Sequence, residues 1–166
     1  DQAMAGEQIA SAAVVSTIIR ASKPAEVQKL DACLTDLKLP QGAYNRLFRS
    51  VLLPSLRSGE QLYFVRAALN PYCQSLYSDG SFRHWFVAGV GNAYQVRHSG
   101  LGNNVRILNV QSNDSYDIVS GNCTAAECSS TTWRFTGVRY SAFRCSESRS
   151  SGGSGNDVET TVPCRR

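Results

Sequence analysis

Six cysteines, Cys33, Cys73, Cys123, Cys128, Cys145 and Cys164, constrain this chain more than any other feature. Their number is even and no two form a C-x-x-C pair, which argues against a zinc ribbon and against a thioredoxin-type redox site. Three of them lie in polar, Ser- and Gly-rich stretches, where burial as plain apolar thiols is unfavourable. Disulfides are therefore expected, and with them an oxidising compartment. Many pairings are open to six cysteines. Proximity along the chain favours Cys33–Cys73 between two helical segments, Cys123–Cys128 around a short loop, and Cys145–Cys164 to tie down the tail.

The rest of the sequence bounds the architecture. At 166 residues the chain suits one domain or two small, closely packed subdomains. No apolar run reaches the ~18 residues of a membrane-spanning helix, because Ser11, Ser16 and Thr17 interrupt the longest stretch, Ile9 to Ile19. Asp1 in place of an initiator Met fits either the removal of a signal peptide or a trimmed sequence. Net charge is only +4, with 14 Arg against 3 Lys. No basic stripe with interleaved aromatics is present, so nucleic acid is not an expected partner. No metal or other cofactor is expected either.

The first part reads as helical. Ala10, Val14 and Ile18 fall four apart. Ser22-Lys23-Pro24 is a helix start, with a capping hydroxyl and a proline in the first turn. Val27, Leu30, Leu34 and Leu37 then form a helical stripe. A third helix is expected over Tyr44, Leu47, Phe48, Val51 and Leu52. A fourth is expected behind a Ser58–Gln61 capping box, carrying Leu62, Val65 and Leu69.

After Asp79-Gly80 the pattern alternates. Trp85–Val87 starts a strand, Gly91-Asn92 is a hairpin turn, and Tyr94, Val96 and His98 alternate. Gly100–Asn104 is expected as a polar turn. Further strands are expected at Val105–Val110, Tyr116–Val119, Trp133–Phe135 and Tyr140–Phe143, with a disulfide-closed loop from Cys123 to Ser130. The stretch Ser146 to Asn156 reads as a mobile Ser/Gly segment. The expected fold is thus α+β, with N-terminal helices packed on a C-terminal antiparallel β-meander and three disulfide staples. Its parts are a helical subdomain over 1–79, a β subdomain over 80–145 and a tied tail over 146–166.

No nucleophile elbow, P-loop, dinucleotide fingerprint or zinc-protease motif occurs. His84 and His98 are the only histidines; a Cys–His hydrolase needs a free cysteine beside one of them, and pairing with Cys33 disarms Cys73. His84 is expected at a strand edge. Asn113, Asp114, Ser115 and Asp117 form an oxygen-rich cluster that lacks EF-hand spacing and reads as a turn, with Asp117 expected to cap backbone amides. Glu7, Glu26, Asp31, Asp36 and Glu60 are scattered on expected helix faces and single out no carboxylate pair for glycoside hydrolysis. The Asn122–Thr131 loop, carrying Glu127, is the strongest binding feature, since a preorganised loop loses little entropy on docking; equally, it reads as a staple that keeps an edge of the meander in register. Tyr94, Glu127, Trp133 and Tyr140 are the residues expected to make contact with a partner.

The segments Val105–Val119 and Thr132–Tyr140 together resemble small periplasmic proteins of Gram-negative bacteria with the pattern S-N-G-Y-x-D-I-V followed by W-R-F-x-G-x-x-Y, whose β repeat looks like one propeller-type blade. The likeness covers Trp85 to Phe143, and Ser115 stands where the pattern has Gly. The resemblance implies an envelope location and a non-enzymatic β module, some of whose kin look like inhibitors or immunity proteins against cell-wall hydrolases. The expected function is accordingly an exported periplasmic binding protein with another protein as partner. An envelope-acting glycan hydrolase and a structural accessory of an envelope assembly are the alternatives.

Overall fold

The computed structural model describes residues 6–150 and 157–165, with only the backbone at 110, 111 and 157. Two helices form where the spacing predicts them. In α1 (Ala12–Ala21) the Ser11 hydroxyl accepts the Val14 N–H at 3.3 Å, and Val14, Val15 and Ile18 are buried. In α2 (Pro24–Asp36) proline occupies the first turn, the Glu26 carboxylate accepts the Lys23 N–H at 2.8 Å, and Leu30 and Leu34 are buried. Ser22 plays a different part from the one expected. Its hydroxyl donates to the Ile18 carbonyl at 2.8 Å and so closes α1 rather than capping α2.

The third and fourth expected helices are strands. Tyr44–Leu47 makes one 3-10 turn, and the chain then extends as β2 (Phe48–Leu53), with the two-residue β1 (Gln8–Ile9) on its outer edge. Ser58 lies in the turn before β3 (Glu60–Ala67), which runs antiparallel to β2. The physical reason is the burial of β3. Phe64 and Val65 point to opposite faces of the strand, and both are buried. Such a two-sided run has no clean alternation and mimics a helical stripe. Its Tyr63-Phe64-Val65 core favours a strand on propensity alone.

β4 (Tyr77–Ser78), β5 (Ser81–Val90) and β6 (Ala93–Gly102) complete the first sheet, in the order β1-β2-β3-β5-β4, with β6 also paired to β5. Ile18 and Leu30 share a small cavity with Phe48, Leu76 and Trp85, so the helices lie on the sheet face that carries Phe48 and Trp85. The Phe48 and Trp85 rings meet edge-on at 5.3 Å.

The remaining strands form a separate meander, in the order β11-β10-β9-β8-β7: β7 (Asn104–Ser112), β8 (Ser115–Cys123), β9 (Glu127–Phe135), β10 (Tyr140–Ser150) and β11 (Asp157–Val162). Asn113 and Asp114 have φ of 52° and 56°, the left-handed pair of a two-residue hairpin turn. Asn103 alone separates β6 from β7, where a longer polar turn was expected. Ser146–Ser150 belongs to β10, so this part of the expected mobile segment is ordered in a sheet; residues 151–156 lie outside the described residues. The chain divides into two compact units, Asp1–Gly100 and Leu101–Arg166. With two helices and two antiparallel sheets among the described residues, the fold is α+β, richer in strand than the sequence pattern implied.

All three cysteine pairs are disulfides: Cys33–Cys73 from α2 to the loop before the Gln74–Leu76 turn, Cys123–Cys128 across the ends of β8 and β9, and Cys145–Cys164 from β10 to the chain beyond β11. Three disulfides fit an oxidising environment. No helix among the described residues is long and apolar enough to cross a membrane.

Candidate protein-binding surface

The β9–β10 hairpin of the second unit presents exposed apolar groups from a fixed frame. Its turn is closed by the Thr136 N–H to the Arg139 carbonyl at 2.8 Å and by the Thr136 hydroxyl to the same carbonyl at 2.9 Å. Gly137, at φ 96°, supplies the left-handed step the turn needs. Val138 at the tip is 83% exposed. Farther along β10, Ala142 pairs with Trp133 and Arg144 with Thr132, which leaves Phe143 as the extra residue of a β-bulge. Bulges re-aim side chains, and Phe143 is 57% exposed.

Phe143 is held by a chain of contacts that ends in the sheet interior. The Arg134 guanidinium lies 3.7 Å from the centre of the Phe143 ring. Its Nε and Nη2 donate to Asp117 Oδ2 at 3.2 and 3.0 Å, across the ladder in which Ile118 faces Trp133. Asp117 is 1% exposed. It holds a guanidinium rather than capping backbone amides as expected, because its neighbouring strand positions a cation opposite it. Arg134 in turn offers one face to the aromatic ring. The arrangement fixes an Arg–Phe pair at the surface, and aromatic and arginine side chains are the types that dominate binding energy in protein interfaces.

Of the four contact residues named from the sequence, Tyr94 belongs to the first unit and Glu127, Trp133 and Tyr140 to the second. Tyr94 is half-buried on β6, in the first unit; its hydroxyl donates to Gln61 Oε1 at 2.9 Å. Trp133 is half-buried on β9, and its Nε1 donates to the Ser120 hydroxyl at 2.9 Å. Tyr140 is only 8% exposed. Its hydroxyl donates to the Tyr116 carbonyl at 2.7 Å and meets the Ser115 hydroxyl at 2.8 Å, so it is a core residue and not an exposed aromatic. Glu127 is exposed, beside Arg149 at 3.3 Å. It sits at the far end of β9 from the Thr136–Arg139 turn, in a tip fixed by the disulfide and by the Thr124 hydroxyl, which accepts the Glu127 N–H at 3.0 Å. Phe143 and Val138 escaped the sequence reading because alternation does not reveal a bulge. The one signal was Arg134 flanked by two aromatics in Trp133-Arg134-Phe135.

The titratable groups weighed for catalysis, none of which the sequence singled out, are arranged otherwise. His84 is not at a strand edge but in the interior of β5, with the rings of Phe64, Phe82 and His98 about it at 6.1, 6.2 and 5.8 Å. Burial pushes its pKa down to about 4, partly opposed by the Phe82 backbone. Burial and the neighbouring His84 push His98 to about 4 as well. Cys73 is in a disulfide, so no thiol faces these rings. Glu60, expected on a solvent-facing helix, is buried on β3 and paired with Arg97. Glu7 takes Arg66 through both carboxylate oxygens, at 2.8 and 3.1 Å. Among the described residues no three His, Cys, Asp or Glu side chains gather as a metal site.

No family model, no curated protein and no solved structure matches the chain.

Proposed function

We propose that this chain is an exported, non-enzymatic binding protein of the bacterial periplasm, and that it docks through the β9–β10 hairpin on another protein, a cell-wall hydrolase, as its inhibitor or immunity protein. The observation that carries this reading is the fixed surface pair of Phe143 and Arg134, anchored by the buried Asp117. A hairpin already held in its bound shape loses little freedom on association. Three disulfides support an oxidising compartment, and the resemblance of Val105–Val119 and Thr132–Tyr140 to periplasmic proteins suggests the target class.

The test is direct. The oxidised protein is titrated against purified muramidases, amidases and endopeptidases, with binding followed by calorimetry and lysis followed by turbidity of cell walls. One class should be bound in a stoichiometric complex and inhibited, and Phe143→Ala should remove both effects while leaving the fold unchanged. Failure to bind any of these hydrolases would overturn the target. Release of soluble fragments from peptidoglycan by the protein alone would replace the binding reading with that of an envelope-acting enzyme.

A further inference from the structure

A cavity of about 330 Å³ on the first unit is built around a buried ion pair that the protein-partner reading does not use. Its volume is near the lower end of those that hold small ligands. Glu60 and Arg97 meet in it, with side chains only 5% and 9% exposed, and Glu60 Oε1 takes the Arg97 Nη2. The second carboxylate oxygen, Oε2, is buried without a hydrogen-bond partner. Ala88, Val90 and Ala93 give the cavity small apolar walls.

Tyr94 completes the lining and is immobilised. Its hydroxyl is fixed on Gln61, its ring meets Tyr63 edge-on at 6.1 Å, and it lies against the bare backbone of Gly89. A Cβ at Gly89 would come within 2.2 Å of that ring, so glycine is what lets the ring lie there.

We propose that this cavity binds one neutral, polyhydroxylated ring of the size of a single pyranose. The charges of Glu60 and Arg97 cancel. An entering cation or anion would unbalance this buried pair, whereas a neutral ligand does not. Glu60 Oε2 calls for a donor, which a sugar hydroxyl supplies. Tyr94, which lines the cavity, gives such a ring an apolar contact. The site is on the first unit and stands whether or not the β9–β10 hairpin docks a protein.

Backbone amide NMR of the oxidised protein tests it, with glucose and N-acetylglucosamine as neutral probes, glucosamine as the cation and glucuronate as the anion. A neutral probe should shift the amides of 88–97 in the millimolar range, and the charged probes should bind about tenfold more weakly or worse. Glu60→Gln should weaken binding by about tenfold. Because that change also removes the Glu60–Arg97 ion pair, Ala93→Phe is the second variant: it fills the cavity from an exposed position, should abolish the shifts, and should keep the melting temperature. No shift with either neutral sugar, preference for a charged probe, or unchanged binding by Ala93→Phe would each overturn the proposal.

Discussion

The imidazole rings of His84 and His98 lie 5.8 Å apart inside the first unit, and a Cβ at Gly100 would stand 2.8 Å from His84 Nε2. Both rings titrate at about 4 instead of the ordinary imidazole value of 6.5, chiefly because burial disfavours the charged form. A depressed histidine pKa means that the unfolded chain takes up protons first as pH falls. Stability is therefore full above about pH 6.5, declines between about 6.5 and 4, and levels off below. Each ring contributes on the order of 3 kcal/mol to that decline.

Urea unfolding between pH 7 and pH 4 should show this loss, and His98→Gln should flatten it. A flat stability profile across this range would contradict the burial of the pair. Glu26 adds a smaller loss at the acid end, since the Lys23 N–H and then Arg83 hold its pKa below the usual carboxylate range.

Gly121 on β8 predicts a sharp steric effect. A Cβ there would fall 2.2 Å from the Ser129 carbonyl oxygen, which is backbone and cannot rotate away. Gly121→Ala should destabilise the second unit by about 2 kcal/mol or more, through overpacking. Gly59→Ala tests the other kind of glycine. It has open space around its Cβ position but a φ of 76°, so its cost should be about 1 kcal/mol and conformational in origin. Equal melting temperatures for wild type and Gly121→Ala would show that the strands are spaced more widely than described.

The Asp117–Arg134–Phe143 contacts separate stability from binding. Arg134→Ala leaves the buried Asp117 carboxylate without its cation and should cost about 3 kcal/mol. Phe143→Ala removes an exposed ring and should cost under about 1 kcal/mol. If Phe143 serves a partner, its loss should reduce affinity by about thirtyfold or more with little change in melting temperature. A large stability loss from Phe143→Ala would make the ring a structural cover of Arg134 instead.

How far the sequence revealed this fold follows from which positions face one medium and which face two. The helices α1 and α2 are legible because one stripe of each is apolar and Pro24 marks a start. Strands β5 to β10 are legible from their turns, where Gly91, Asn113-Asp114 and Gly137 supply left-handed backbone. β2 is not, since Phe48, Val51 and Leu52 fall at helical spacing, and β3 is not, since Phe64 and Val65 on its opposite faces are both buried and the Ser58–Gln61 spacing imitates a helix cap. Site residues are less legible still. Tyr140 looks like a surface aromatic until its hydroxyl is seen to bind the Tyr116 carbonyl, and the outward aim of Phe143 depends on a bulge that no residue type announces.

The disulfides predict an order of losses. In the chain-entropy account, a bridge stabilises more the longer the loop it closes. The separations are 40 residues for Cys33–Cys73, 19 for Cys145–Cys164 and 5 for Cys123–Cys128. Replacing each pair by serines should cost about 4, 3 and 2 kcal/mol respectively. The first loss should fall on the unit that holds α2, and the other two on the meander, so unfolding monitored by amide exchange should report them in different strands. Removing Cys123–Cys128 should free the Thr124–Glu127 tip while leaving β9 paired to β10, whose ladder runs from Tyr140–Phe135 to Arg149–Glu127. If the short bridge proved to matter most, the tip would be holding the sheet together through native-state contacts, and the entropy argument would fail for this protein.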